Sequence, residues 1–233
     1  VVLFLDTYAR YYDPALGRHA VELLTGTGYT VHPIARGCCQ RPRISQGLLD
    51  EAKLRAAPLV AELDAAGGGD ASGVPILCLE PSCASSLKDD LPDLLEDADA
   101  AKRVADRVQL LDAFLLAEGV ELRAAEGVDD VLVHAHCHQR AVFDGAATAT
   151  LLDGTAGVSC RDTSAGCCGM AGAFGYQHHD LSMQIAEDRL LPAARDALAA
   201  GRTVAAPGFS CRHQLADALE IDLPPHPLML LRV

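Results

Sequence analysis

The chain has 233 residues, half of them apolar, with no tryptophan and a formal charge of -13. That length supports one sizeable core or two small ones, and with aromatics scarce the core must be built from Ala, Leu and Val. The charge argues against nucleic acid or an anionic membrane surface as a partner, and no apolar run of about 20 residues is present to span a bilayer.

In chain order, residues 1–5 are apolar and are followed at once by Asp6, with no basic segment, so they read as a strand and not a signal peptide. Asp13-Pro14 offers an N-cap and a first-turn proline, residues 15–24 have helical spacing, and Gly26 and Gly28 end that helix. A strand over 29–34 feeds Gly37-Cys38-Cys39, and a helix over 46–66 is stopped by Gly67-Gly68-Gly69. A third strand covers 74–79 and breaks at Pro81, after which Ser82 caps a short helix opening with Cys83. Residues 100–118 read as one amphipathic helix, ahead of a boundary near 119–129. The series then repeats: strand 131–135, helix 139–152, strand 158–161, Gly166-Cys167-Cys168, a long helix over 178–200 ended by Gly201, and strand 203–206. Pro207-Gly208 turns the chain, and Ser210 caps a helix opening with Cys211. The expectation is an α/β chain of two pseudo-symmetric Rossmann-like lobes, residues 1–119 and 120–233, each a small parallel sheet flanked by helices. Without an initiator Met or a polar tail, the chain is expected to be a fragment of a longer protein.

The repeat is sharpest in its cysteines. Cys38, Cys39 and Cys83 recur as Cys167, Cys168 and Cys211 at offsets of 129, 129 and 128, and Thr7 stands 130 residues before Cys137. Nine cysteines in a chain too long to need disulfide staples read as thiols kept reduced in the cytoplasm for a metal or cluster. Every member of the set follows a strand or opens a helix, where unsatisfied N–H groups and the helix dipole favour thiolate. Adjacent cysteines on a strand point to opposite faces, so each pair can address one site only from a turn, which the flanking glycines allow. Cys78 and Cys160 have no counterparts and read as small core residues. Structural zinc on Cys137, Cys167, Cys168 and Cys211 is an alternative, and a metal-free scaffold is another. His134, His136 and His138 surround Cys137, and Arg41, Arg161 and Arg212 could neutralise a negative cluster.

The wording Leu5-Asp6-Thr7-Tyr8, Glu80-Pro81-Ser82-Cys83, His136-Cys137-His138-Gln139, Gly166-Cys167-Cys168-Gly169-Met170-Ala171-Gly172 and Gly208-Phe209-Ser210-Cys211-Arg212 resembles the cysteine-rich (CCG) domain family. That family includes the B subunit of heterodisulfide reductase, iron–sulfur subunits of glycolate oxidase and of lactate oxidation systems, and the C-terminal region of FAD-linked dehydrogenases of D-2-hydroxy acids. The resemblance implies an iron–sulfur electron-transfer domain, of [4Fe–4S] type, relaying electrons from flavin to an acceptor. It implies Cys137, Cys167, Cys168 and Cys211 as ligands, with Cys38, Cys39 and Cys83 as an incomplete second set, because Thr7 stands where the fuller pattern has cysteine. It also implies partners, on the same polypeptide or another: an FAD-binding domain and a ferredoxin-type module, since neither a dinucleotide fingerprint nor a C-x₂-C-x₂-C-x₃-C-P run is present. Attachment to the inner face of the membrane would then come through partners only.

Overall fold

The computed structural model describes residues 1–66 and 73–233. The glycine stop expected at residues 67–69 lies outside the described residues. The chain divides into two compact units, Val1–Phe114 and Leu115–Val233.

Unit 1 opens with β1 (Val2–Phe4), α1 (Thr7–Tyr11), α2 (Pro14–Gly26) and β2 (His32–Ile34). There follow α3 (Arg41–Ser45), α4 (Leu49–Ala65), β3 (Ile76–Cys78) and α5 (Pro81–Ser85), which runs on into a π-helical turn over Ser86–Asp90. Then come α6 (Leu91–Leu94), α7 (Ala98–Arg107), β4 (Val108–Leu110) and α8 (Leu111–Ala117), which crosses into unit 2. The four strands are parallel in the order β2-β1-β3-β4. Val2, Leu3 and Phe4 are wholly buried, as expected of a parallel strand covered on both faces. Asp13 accepts from the Leu16 N–H ahead of Pro14, so α2 starts where its cap and fixed proline φ dictate.

Unit 2 contains β5 (Arg123–Ala124), β6 (Asp130–Val133), α9 (Cys137–Val142), α10 (Ala147–Asp153), β7 (Ser159–Asp162), α11 (Phe174–Gln177) and α12 (His179–Ala199). It ends with β8 (Thr203–Ala205), α13 (Phe209–Leu219), a 3-10 turn over Pro227–Leu230 and β9 (Leu231–Arg232). Its main sheet is parallel, β7-β6-β8, and β5 pairs antiparallel with β9. The order β2-β1-β3 and the order β7-β6-β8 are the same arrangement, with the earliest strand of each parallel sheet between the next two. The repeat in the sequence is therefore a repeat of topology: two Rossmann-like α/β lobes, each a parallel sheet flanked by helices.

Three sequence expectations need correction. Residues 100–118 do not form one helix: Val108 and Leu110 are buried and Gln109 exposed, and this alternating stretch pairs with β3 as β4. Strand pairing at the sheet edge overrides the helical spacing. Residues 139–152 break into α9 and α10, because the Asp144 carboxylate accepts from the Ala146 N–H at 2.8 Å and turns the chain at Gly145. Ser82 and Ser210 are not caps. Pro81 takes the first helical position with Glu80 as N-cap, and Gly208 is the N-cap of α13, so Cys83 and Cys211 are each the third residue of their helix.

Candidate metal centre

Each cysteine set gathers at the C-terminal end of its own sheet, where ligand-bearing turns of open α/β folds lie. After β1, Asp6 caps α1 by accepting from the N–H groups of Tyr8 and Ala9, which makes Thr7 the first helical residue. After β6, His136 caps α9: its Nδ1 accepts from the His138 N–H at 3.1 Å, and Cys137 is the first helical residue. Thr7 and Cys137 thus hold one structural position. The vicinal pairs lie in turns and not in strands. Gly37 has φ of 76° and Gly169 of 94°, conformations that glycine adopts without strain. At Gly169 a Cβ would stand 2.2 Å from the Ser182 carbonyl oxygen, whereas one at Gly166 would meet nothing within 4 Å.

Hydrogen bonds string the side chains together in the same order in both units. In unit 1 the Thr7 hydroxyl bonds to Cys38, Cys38 to Cys39, and Cys39 donates to Cys83 across 3.0 Å. In unit 2 the string runs Cys137, Cys167, Cys168, Cys211. Backbone N–H groups two residues on also serve the sulfurs: Gln40 and Arg41 for Cys38 and Cys39, Gly169 and Met170 for Cys167 and Cys168. The Gly169 bond measures 3.3 Å. Cys39, Cys83, Cys168 and Cys211 are buried, while Cys38, Cys137 and Cys167 are half-buried.

The electrostatics of the two sets differ. Hydrogen bonds from Cys137 and Cys168 hold the Cys167 thiol far below its ordinary range. The bond from Cys168 does the same for Cys211 against its burial, and His136 and His134 add to the effect. Their donors move the other way: Cys137 is pushed up by giving its proton to Cys167, and Cys168 by giving to Cys167 and Cys211, with burial adding to both. In unit 1, donation to Cys39 and burial push Cys38 up. Cys39 gains from accepting from Cys38, yet donation to Cys83 and burial raise it overall. Cys83 accepts from Cys39, but burial and the carboxylates of Asp6 and Glu80 push it up to about 12. Unit 2 therefore holds two of its four thiols toward thiolate and pushes the other two away from it, whereas all three thiols of unit 1 are pushed up.

The shell of the second set is apolar: Cys168 and Cys211 sit in a buried cluster with Leu132, Met170, Leu190 and Leu215. Among the described residues no three His, Cys, Asp or Glu side chains gather as ligands of a single metal ion. The four thiols of unit 2 interact in series and are served by backbone N–H donors, and four thiol donors are the chemistry of iron–sulfur ligation. Cys78 and Cys160 are buried in β3 and β7.

Of the other residues singled out above, His134 is buried and its Nδ1 lies 3.1 Å from the Thr163 hydroxyl, while the His136 Nδ1 lies 3.9 Å from the Cys137 sulfur. Arg41 pairs with Asp90 and bonds Ser85, Arg161 lies 3.9 Å from Asp130, and Arg212 covers the Phe209 ring. The sequence reading missed Asp6 and Glu80 as caps beside the first set. Glu80 was legible, since Pro81 after a strand marks the preceding residue as an N-cap. It also missed Ser182, on α12, which is gripped by Gln214 Nε2 at its carbonyl and hydroxyl oxygens, at 3.2 and 3.0 Å. No local pattern marks a residue that far from the cysteines.

Among the described residues no helix is long and apolar enough to cross a membrane. No protein-family model matches the chain. It is 27% identical over 181 residues to the C subunit of anaerobic glycerol-3-phosphate dehydrogenase of Escherichia coli (strain K12), covering 76% of this chain and 45% of that relative. The chain thus spans about half the length of that relative. It is 24% identical over 203 residues to lactate utilization protein A 2 of Bacillus cereus, covering 82% of this chain and 79% of the relative. These similarities bear out the resemblance to the cysteine-rich CCG family that the Gly-Cys-Cys motifs carry.

Proposed function

We propose that the chain is an iron–sulfur electron-transfer domain of an FAD-linked 2-hydroxy-acid dehydrogenase, with Cys137, Cys167, Cys168 and Cys211 as ligands of one [4Fe–4S]-type cluster. The observation that carries this reading is the placement of all four thiols beyond the C-terminal ends of the unit 2 strands: Cys137 opening α9 after β6, Cys167 and Cys168 in the loop after β7, and Cys211 in the first turn of α13 after β8. When bound, such a cluster accepts and releases single electrons, which links two-electron flavin chemistry to a one-electron acceptor. The chain's own residues supply sulfur donors, N–H groups from Gly169 and Met170 that stabilise negative sulfur, and a buried apolar wall that keeps water away. Cys38, Cys39 and Cys83 form the incomplete counterpart, because the Thr7 hydroxyl cannot match thiolate as an iron ligand.

The hydroxy-acid specificity rests on the motif wording and on one relative, a lactate utilization protein, since lactate is a 2-hydroxy acid; the other relative, a subunit of glycerol-3-phosphate dehydrogenase, supports the dehydrogenase setting alone. The flavin and ferredoxin-type modules are placed on another part of the polypeptide or on a partner protein. The test is anaerobic reconstitution with iron and sulfide, followed by iron and acid-labile sulfide analysis and EPR of the dithionite-reduced protein. One cluster is expected, removed by Cys168→Ser and retained in Cys38→Ser. Protein that takes up zinc but no labile sulfide, or no metal at all, would sink the reading.

A further inference from the structure

Four residues at equivalent places in the two units differ in a way that thiol count does not capture. Asp6 and His136 are the N-caps of α1 and α9, the helices that open with Thr7 and Cys137. Glu80 and Gly208 are the N-caps of α5 and α13, the helices that carry Cys83 and Cys211. We infer that these caps, His136 with Gly208 in unit 2 and Asp6 with Glu80 in unit 1, determine which cysteine set accepts an iron–sulfur cluster. The inference rests on the reading under Proposed function and goes beyond it, because it makes cluster acceptance depend on residues that are not ligands.

The unit 2 caps are fitted to each other. A Cβ on Gly208 would lie 2.3 Å from His136 Cδ2 and 3.1 Å from its Nε2, so the imidazole fills the space that a side chain at position 208 would take. Through that contact the starts of α9 and α13 are held in one register, and Cys137 and Cys211 with them. His136 also lies 3.9 Å from the Cys137 sulfur, so it is a positioning residue in direct contact with the thiol string. Neither cap residue carries a carboxylate, and Asp162, which accepts from the Ala135 N–H at 3.3 Å, is paired with Arg140.

Unit 1 has the opposite arrangement. Asp6 and Glu80 are both buried, at 2% and 5% exposure, and both bear on Cys83. Asp6 is committed to the N–H groups of Tyr8 and Ala9, and Glu80 to the N–H and hydroxyl of Ser82, so neither swings away without losing a cap. A four-iron cluster with four thiolate ligands is an anion, and two buried carboxylates beside it raise the cost of its charge where screening is weak. Restoring the missing thiol at position 7 therefore leaves this set unable to load.

The experiment reconstitutes the full chain anaerobically with iron and sulfide and reads iron, acid-labile sulfide and EPR for four variants, with circular dichroism melts as the check on folding. Thr7→Cys is expected to hold the same iron and sulfide as the wild type, and Asp6→His/Thr7→Cys/Glu80→Gly roughly twice as much. His136→Asp is expected to lose at least about half of its labile sulfide, and His136→Asn, which keeps a neutral cap acceptor but not the ring beside Gly208, to lose less than His136→Asp does. Doubled loading in Thr7→Cys alone overturns the inference, as does full loading of His136→Asp with an unaltered EPR signal, or a folded triple variant that gains nothing. Each of those outcomes leaves the cluster reading itself intact. A wild-type chain without labile sulfide removes that reading, and the inference with it. If the triple variant does not fold, Thr7→Cys and His136→Asp still decide between the outcomes.

Discussion

A side chain at position 169 meets two obstacles at once: the Ser182 carbonyl oxygen 2.2 Å from its Cβ, and a backbone φ of 94°. Gly169→Ala is therefore expected to destabilise the chain by about 2–4 kcal/mol, while Gly166→Ala, with open space around its Cβ, stays within about 0.5 kcal/mol. Thermal melts of the two metal-free variants check this contrast, and equal melting temperatures would refute it. Asp6 offers a test by pH. Burial, with Glu80 adding to it, raises its carboxyl from 3.8 to about 6. The folded state then keeps a proton that the unfolded chain releases. Its contribution to stability is fully present below the unfolded value and is lost as pH rises through about 6, a decline on the order of 2–3 kcal/mol. Asp6→Asn keeps an oxygen for the Tyr8 and Ala9 N–H groups and does not titrate. Urea midpoints of the wild type should fall relative to this variant between about pH 4 and 6.5, and parallel profiles would count against the burial argument.

At the scale of elements, helix ends are where local signals and tertiary structure part company. The start of α2 was legible from Asp13-Pro14 alone, because cap and proline act within one turn. The end of α4 was legible too, at residue 66 against Ala65, but what satisfies its last carbonyls was not. The Arg107 guanidinium, from the end of α7, donates to the carbonyl oxygens of Leu63, Asp64 and Ala66 and to Val74 beside β3. One buried side chain thus satisfies the last carbonyls of α4 and ties them to the sheet. Arg107→Ala is expected to cost about 2–4 kcal/mol and Arg107→Lys nearly as much, since an ammonium cannot span four carbonyls from one fork. Amide exchange in α4 and β3 would rise in both variants, and unchanged protection there would refute the assignment. The strand β4 was hidden for a related reason: its buried-exposed-buried pattern covers three residues, too few to outweigh the helical spacing around it.

At the scale of the molecule, each unit has its own sheet, its own core and its own cysteine set. Leu190, 1% exposed in the core of unit 2, tests that separation. Leu190→Ala is expected to cost about 2–5 kcal/mol, with amide protection lost first in β6 and β8 and kept in β1 and β3. Simultaneous loss in both sheets would show the units unfolding as one. Much of this organisation was written in the chain itself: the doubled Gly-Cys-Cys, the alternation of strands and helices, the turns that bear the cysteines, and the substitution of Thr7 for a thiol. Those are matters of spacing, caps and glycine placement, which act over a few residues and leave local marks. Other features only the folded structure decided: the His136 ring filling the space beside Gly208, the Ser182 carbonyl against Gly169, and the carboxylates beside Cys83. Each of these depends on groups distant in sequence brought within contact by packing. No periodicity or motif encodes that contact, and it is what makes two like thiol strings chemically unlike.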